Sequence, residues 1–322
     1  MREGVKKKRC AAMEAGAQNR AGDLVASRGV GSFPLAPKVW MLGIPFDAMP
    51  RIQVHDAIRR MLEAGQSHQV VTANSQFLRL SLRSARLRAV LRSADLVLCD
   101  SGPLCWAARL LGQKIPERVS GAELVPLMLR SCADSGKTVF WLGGPPADSE
   151  AVREKLRREM PELRFHAQSC LEFPPSAASL REARRAVAEA KPDLLLVSWG
   201  CPYAEIWIHR HARKLGVPVA VGVGAAIAFF SGRLRRAPRI VQICGMEWAF
   251  RMVQEPGRLV GRYLRDAAVV PEAVLRQWLP DLLGAIPHAS AMAPRTLRFG
   301  HLRVPFLAWL GAIGCRMGFK AR

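Results

Sequence analysis

Apolar runs that end in a polar residue or a glycine recur along this chain, and a helical stretch follows each one. Gln69-Val70-Val71-Thr72-Ala73-Asn74 is such a run, and Ala94 to Asp100 is another. Lys137 to Leu142 leads into Gly143-Gly144, Pro192 to Ser198 into Gly200-Cys201-Pro202, and Val217 to Val223 into Gly224. Val39 to Ile44, interrupted by Gly43, reads as a further short strand. Between these runs, Val54, Ala57, Ile58, Met61 and Leu62 follow helical spacing up to Gly65, and residues 75–93 read as one basic helix. Strands alternating with helices of this length give βαβ units, hence an α/β fold with a doubly wound, mostly parallel sheet. Ligands of such sheets bind outside the carboxyl ends of the strands. Thr72, Asn74, Asp100, Gly143, Gly144, Gly200 and Gly224 all collect there.

The charge narrows the ligand. The chain of 322 residues has a formal net charge of +22, which calls for a polyanionic partner: nucleic acid, an anionic membrane surface or a phosphorylated substrate. Aromatic residues make up only 7%, with two tyrosines, so the basic–aromatic interleaving that stacks bases is missing and nucleic acid is not expected. The basic residues concentrate between Ser231 and Arg265, where Arg233, Arg235, Arg236, Arg239, Arg251, Arg258, Arg262 and Arg265 fall close together. Arg258, Arg262 and Arg265 stand at i, i+4 and i+7, where like charges on one helix face repel unless an anion lies between them. A solvated basic face is the simpler alternative.

The eight cysteines are scattered without a C-x-x-C pair, which fits buried thiols in a reducing compartment. No apolar run reaches the roughly 18–20 residues of a membrane span, and no apolar segment follows the charged start. The expectation is a cytoplasmic protein held at a membrane surface.

Asp100 is the leading catalytic candidate, since a partly desolvated carboxylate at a strand's carboxyl end suits a general base. The competing reading is an N-cap of the helix that follows. Asn74 poses the same choice, ligand or cap. Glu205 opens an amphipathic helix, where the helix dipole alone would favour it. No G-x-G-x-x-G or P-loop pattern is present, so a dinucleotide cofactor is not expected. His209 and His211 are two apart and share no helix face, and no metal site is expected. Glu247 and Arg251, at i and i+4, are expected to pair.

Nine short motifs, in order, resemble the WecG/TagA/CpsF family of bacterial glycosyltransferases over roughly residues 40–263. They are Thr72-Ala73-Asn74, Asp100-Ser101-Gly102, Glu117-Arg118-Val119-Ser120-Gly121, Leu142-Gly143-Gly144 and Gly200-Cys201-Pro202-Tyr203-Ala204-Glu205. Gly222-Val223-Gly224-Ala225, Ser231-Gly232 with Arg236-Ala237-Pro238, Glu247-Trp248 with Arg251, and Glu255-Pro256 with Arg258, Arg262 and Tyr263 complete the series. The resemblance implies a Rossmann-like core with a C-terminal helical appendage. It implies an inverting, metal-independent transfer of an N-acetylmannosamine-like sugar from a UDP-sugar to a polyprenyl-diphosphate-linked acceptor in surface-polysaccharide assembly, at the inner face of the cytoplasmic membrane. It also implies Asp100 as base, Thr72 and Asn74 beside it, and Arg258 and Arg262 facing the diphosphate. Arg118, Gly143, Gly144, Gly200, Glu205 and Arg236 join the expected substrate contacts.

The sequence departs from the family pattern at three places. Ala204 stands where glutamine is usual, Ala228 near a usual aspartate, and Ser101 where a glycine commonly follows the base. These leave open a degenerate transferase that binds the donor without turnover, and a non-catalytic anion- or nucleic-acid-binding protein. The expected organisation is a disordered basic extension over 1–37, a core over 38–232 and an Arg-rich appendage over 233–268. An amphipathic, basic tail over 269–322 completes it. A homo-oligomer is left open.

Overall fold

The buried run His68–Ala73 forms β3 of a six-stranded, all-parallel sheet in the computed structural model, which describes residues 36–170 and 172–283. Its other strands are β4 (Leu96–Cys99), β5 (Thr138–Leu142), β6 (Arg164–Gln168), β7 (Leu194–Val197) and β8 (Val219–Gly222), in the order β4-β3-β8-β7-β5-β6. Burial on both faces explains why β4, β7 and β8 read as unbroken apolar runs. β6 escapes that reading because Arg164-Phe165-His166-Ala167-Gln168 is a half-exposed edge with polar residues interleaved.

The register shows how the sheet is covered. Val70 pairs with Val221, and Val71 with Gly222, so paired residues share a face. Val70, Leu96, Trp141, Leu196 and Val221 pack beneath α1 (Arg51–Glu63), α5 (Gly121–Asp134), α6 (Pro146–Glu159) and α9 (Ala226–Phe230). The opposite face carries Val71, Ala73, Val97 and Cys99 beneath α2 (Ser75–Arg83), α3 (Ala85–Ser93) and α4 (Gly102–Leu110). It also carries Phe140, Leu195, Val197 and Ala220 beneath α7 (Ala177–Ala190) and α8 (Tyr203–His211). Helices on both faces make the sheet doubly wound and Rossmann-like, as expected.

Two sequence expectations are corrected. Residues 39–44 are not one strand: β1 (Lys38–Met41) and β2 (Ile44–Asp47) form an antiparallel hairpin outside the main sheet, turning at Leu42 and Gly43, both with positive φ. Asp47 accepts from the backbone N–H of Val97 at 2.8 Å, which seats the hairpin on the edge strand β4. The basic helix over 75–93 is two helices, because Ser84 leaves the helical conformation and caps α3 by accepting from Leu87 N–H at 3.2 Å.

Beyond the core come α10 (Arg239–Ile243), α11 (Glu247–Gln254), α12 (Pro256–Ala267) and α13 (Val269–Leu283). The described part of the expected tail, residues 269–283, is the helix α13, with Val269 and Ala273 buried and Val269 in the cluster that holds α4. Arg79 of α2 fastens α12 through Asp266 at 2.6 Å. No helix among the described residues is long and apolar enough to cross a membrane. Residues 1–35 of the expected extension, and the rest of the expected tail, lie outside the described residues.

Candidate active site

Asp100 follows β4 directly, its N–H donating to Ala73 O at 2.8 Å. It is not the cap of α4. Ser101 takes that position, its Oγ accepting from Leu104 N–H at 3.4 Å, and the Asp100 carboxylate is left for other partners. The chain after α4 returns alongside β4 through Val119 N–H to Cys99 O at 2.9 Å, and this brings Arg118 to Asp100. Arg118 Nη1 donates to Asp100 Oδ1 at 2.8 Å.

The other end of Arg118 enters a charge cluster. Its Nη2 lies 2.8 Å from Glu247 Oε2 and 3.6 Å from Glu123 Oε1. Arg236 meets the same two carboxylates, Nε 2.9 Å from Glu247 Oε1 and Nη2 3.5 Å from Glu123 Oε1. Glu123 is fixed by a capping box, its Oε2 accepting from Ser120 N–H and Oγ–H. Three carboxylates thus share these two guanidiniums, and Arg51 Nη1 lies 3.5 Å from Glu123 Oε1 as well. Burial pushes the Asp100 carboxyl up to about 7 against the pull of Arg118, and the charges of Glu247 and Glu123 push the same way. A quarter of the side chain stays open, 26% exposed, so a substrate hydroxyl can reach it.

Thr72 and Glu205 lie on either side of Gly222. Thr72 Oγ1 donates to Gly222 O at 3.1 Å. Glu205 Oε1 sits 2.5 Å from where a Gly222 Cβ would be, so a side chain at 222 would have to push that carboxylate aside. Glu205 is 2% exposed, its Oε2 has no hydrogen-bond partner among the described residues, and burial raises its carboxyl to about 7. Asn74 caps α2, its Oδ1 accepting from Gln76 N–H at 3.0 Å. Ala204 points into the core, fully buried, and Ala228 is buried in α9.

The glycines fall in the other half of the sheet. Gly143 and Gly144 have φ of 94° and 87°, and the space beside them is taken by Trp199 and Ile227. Phe173 lies against Gly200 in the same way. Asp100, Arg118 and Arg236 therefore form one group, Thr72 and Glu205 a second, and the three glycines a third.

The arginine stretch is not uniform. Arg233 grips the buried Asp148 at 2.8 Å through both Nε and Nη2, so it is an anchor rather than surface charge. Arg258 pairs with Glu255 and is 55% exposed. Arg262 stacks over Tyr263 at 4.8 Å and lies 4.0 Å from Asp266. The expected Glu247–Arg251 pair is replaced: Glu247 serves Arg118 and Arg236, while Arg251 contacts Glu255 at 3.6 Å and lies 5.1 Å over Phe229. Four appendage donors are buried without a hydrogen-bond partner among the described residues: Arg236 Nε, Trp248 Nε1, Arg251 Nε and Arg262 Nε. Arg236 and Arg251 flank one ring, Phe229, while Trp248 and Arg262 flank another, Tyr263. Among the described residues, no group of three or more His, Cys, Asp and Glu side chains is placed to hold a metal ion.

Glu123 was legible as the S-x-x-E capping box from Ser120, and its second task was not. Glu247 stood in one of the family-like motifs, but its i, i+4 spacing to Arg251 pointed to the wrong partner.

The family model described as "Glycosyl transferase WecG/TagA/CpsF family" matches residues 39–282. The match runs through α13, beyond the limit near residue 263 that the motifs suggested. The chain is 28% identical over 227 residues to the N-acetylglucosaminyldiphosphoundecaprenol N-acetyl-beta-D-mannosaminyltransferase of Bacillus spizizenii, covering 70% of this chain and 85% of that protein. Proteins of the same name in Staphylococcus aureus are similar: strain MW2 at 26% identity (69% and 87% covered) and strain MRSA252 at 27% (66% and 84%). With nearly all of the described residues inside one family match, the chain belongs to the WecG/TagA/CpsF family of glycosyl transferases.

Proposed function

We propose that this glycosyltransferase moves an N-acetylmannosamine-like sugar from a UDP donor to a polyprenyl-diphosphate-linked sugar, with inversion and without a metal. The observation that carries the reading is the Asp100 carboxylate: released from capping, hydrogen-bonded to Arg118, and raised by burial to about 7. A base of that strength near neutral pH suits removal of a proton from a sugar hydroxyl. As the proton passes to Asp100, the hydroxyl oxygen bonds to the anomeric carbon from the face opposite UDP. The bond to UDP breaks, and its electron pair leaves on the diphosphate.

That departing charge needs donors. In this reading the guanidiniums of Arg236, Arg251 and Arg262 and the indole N–H of Trp248 supply them, with Arg258 at the rim. Thr72, Asn74 and Arg118 order the base side of the site, and Gly143, Gly144, Gly200 and Glu205 the donor side. In this reading the enzyme works at the inner membrane face, where it would meet a polyprenyl-linked acceptor. Ile240, Val253 and Leu264, at 76%, 79% and 70% exposure, stand on the appendage among Arg239, Arg258 and Arg265, which suits an interfacial docking surface.

The test is a turnover and thermal-shift assay on the full chain with Asp100→Asn alongside. UDP-N-acetylmannosamine at about 100 times its dissociation constant should stabilise both proteins by about 2.7 kcal/mol. Turnover on a polyprenyl-diphosphate sugar should fall at least about 100-fold in Asp100→Asn and persist in chelator in the wild type. Turnover near wild type in the variant overturns the role of Asp100.

A further inference from the structure

Glu247 is an appendage residue that acts on the core. It opens α11 in that helix's first turn and is 8% exposed. Its two oxygens divide between guanidiniums of different origin, Oε2 with Arg118 beside β4 and Oε1 with Arg236 before α10. Neither contact is aligned as a hydrogen bond, and Glu247 Oε2 and Arg236 Nε both remain without hydrogen-bond partners among the described residues. Arg118 reserves its aligned bond for Asp100. A buried cluster left short of bonds in this way is held by its surroundings rather than by its own satisfaction.

We propose that Glu247 is a positioning residue: by occupying the far end of Arg118 it keeps that guanidinium from closing a two-point pair on Asp100, so that seating the appendage readies the base. The proposal rests on Asp100 being that base. Removing the Glu247 carboxylate frees Arg118 Nη2 for the Asp100 carboxylate in the fork geometry arginine favours. A base paired at both oxygens is weaker and less able to turn toward a hydroxyl.

The groups that face Asp100 are Arg118, Glu123, Glu247 and the thiols of Cys99 and Cys105, with Arg236 one contact further. The charge of Glu247 raises the proton affinity of Asp100, so its loss lowers it. Activity needs the ionised base, so the acidic limb of kcat/KM moves to lower pH.

The experiment compares Glu247→Gln, Glu247→Asp and Asp100→Asn on the full chain, with kcat, donor KM, the pH profile of kcat/KM and the melting temperature. In Glu247→Gln, kcat should fall about tenfold with donor KM within about twofold, and the acidic limb should move down by about half a pH unit or more. Glu247→Asp keeps the charge on a shorter arm, so kcat still falls while its limb moves down less than that of Glu247→Gln. An unmoved limb in Glu247→Gln overturns the proposal, as does a tenfold rise in KM with kcat intact. So does a loss in both variants that simply follows the melting temperature. Should Glu247→Gln not fold, wild-type kcat in Glu247→Asp overturns it alone. Near-wild-type turnover in Asp100→Asn removes the base reading itself, a result separable from all of these.

Discussion

At the scale of single residues, Glu205 and Asp100 show how one side-chain type serves two environments. Both carboxyls rise to about 7 because burial strips water from them, but Asp100 has a guanidinium and Glu205 has none. Between the ordinary glutamate value of 4.5 and about 7, folded Glu205 holds a proton that the unfolded chain has released. Stability is therefore lost as pH rises through that window, and the full penalty is present above it. Glu205→Gln should raise the melting temperature by several degrees at pH 8, with a gain of about 2–3 kcal/mol that vanishes near pH 4. A pH-independent shift in a calorimetric series would contradict this. The same residues mark what the sequence shows and hides. Asp100 announced itself by following an apolar strand, but only the structure reveals that Ser101 does the capping. Of the partners of Arg118, Glu247 is too far along the chain for any local spacing to reveal, and Glu123 showed only its capping role.

Among elements, the critical junction is where α4 meets the turn between α10 and α11. A Cβ on Gly102 would lie 2.3 Å from Gly245 O and 2.9 Å from Gly245 Cα, both backbone atoms that cannot swing aside. Gly102→Ala should therefore displace that turn, and with it Glu247 two residues on. We expect a stability loss of about 1–3 kcal/mol by urea unfolding and a fall in turnover larger than that loss explains. Wild-type turnover would mean that the turn accommodates the methyl harmlessly. Buried strands were legible because burial on both faces removes polar residues from β4, β7 and β8. The edge strand β6, the β1–β2 hairpin and the break at Ser84 were not, since each depends on a neighbour: solvent on one side, Val97 N–H, or the cap of α3.

For the whole molecule, a net charge of +22 acts together with the apolar side chains that the appendage leaves exposed. The full chain should sediment with phosphatidylglycerol vesicles at low salt and be released as ionic strength rises, with little binding to phosphatidylcholine. Replacing Val253 and Leu264 together by glutamate should weaken that binding at least about tenfold while leaving UDP-sugar stabilisation intact. Unchanged vesicle binding would assign the attraction to other basic surfaces. The strand order carries a consequence of a different kind. β8 lies between β3 and β7 and joins the pair β4-β3 to the trio β7-β5-β6. It is also the last strand among the described residues. During synthesis, then, the ribosome must deliver residue 222 before either half-sheet has a neighbour for its inner edge, and until that moment β3 and β7 stand as open templates for another chain.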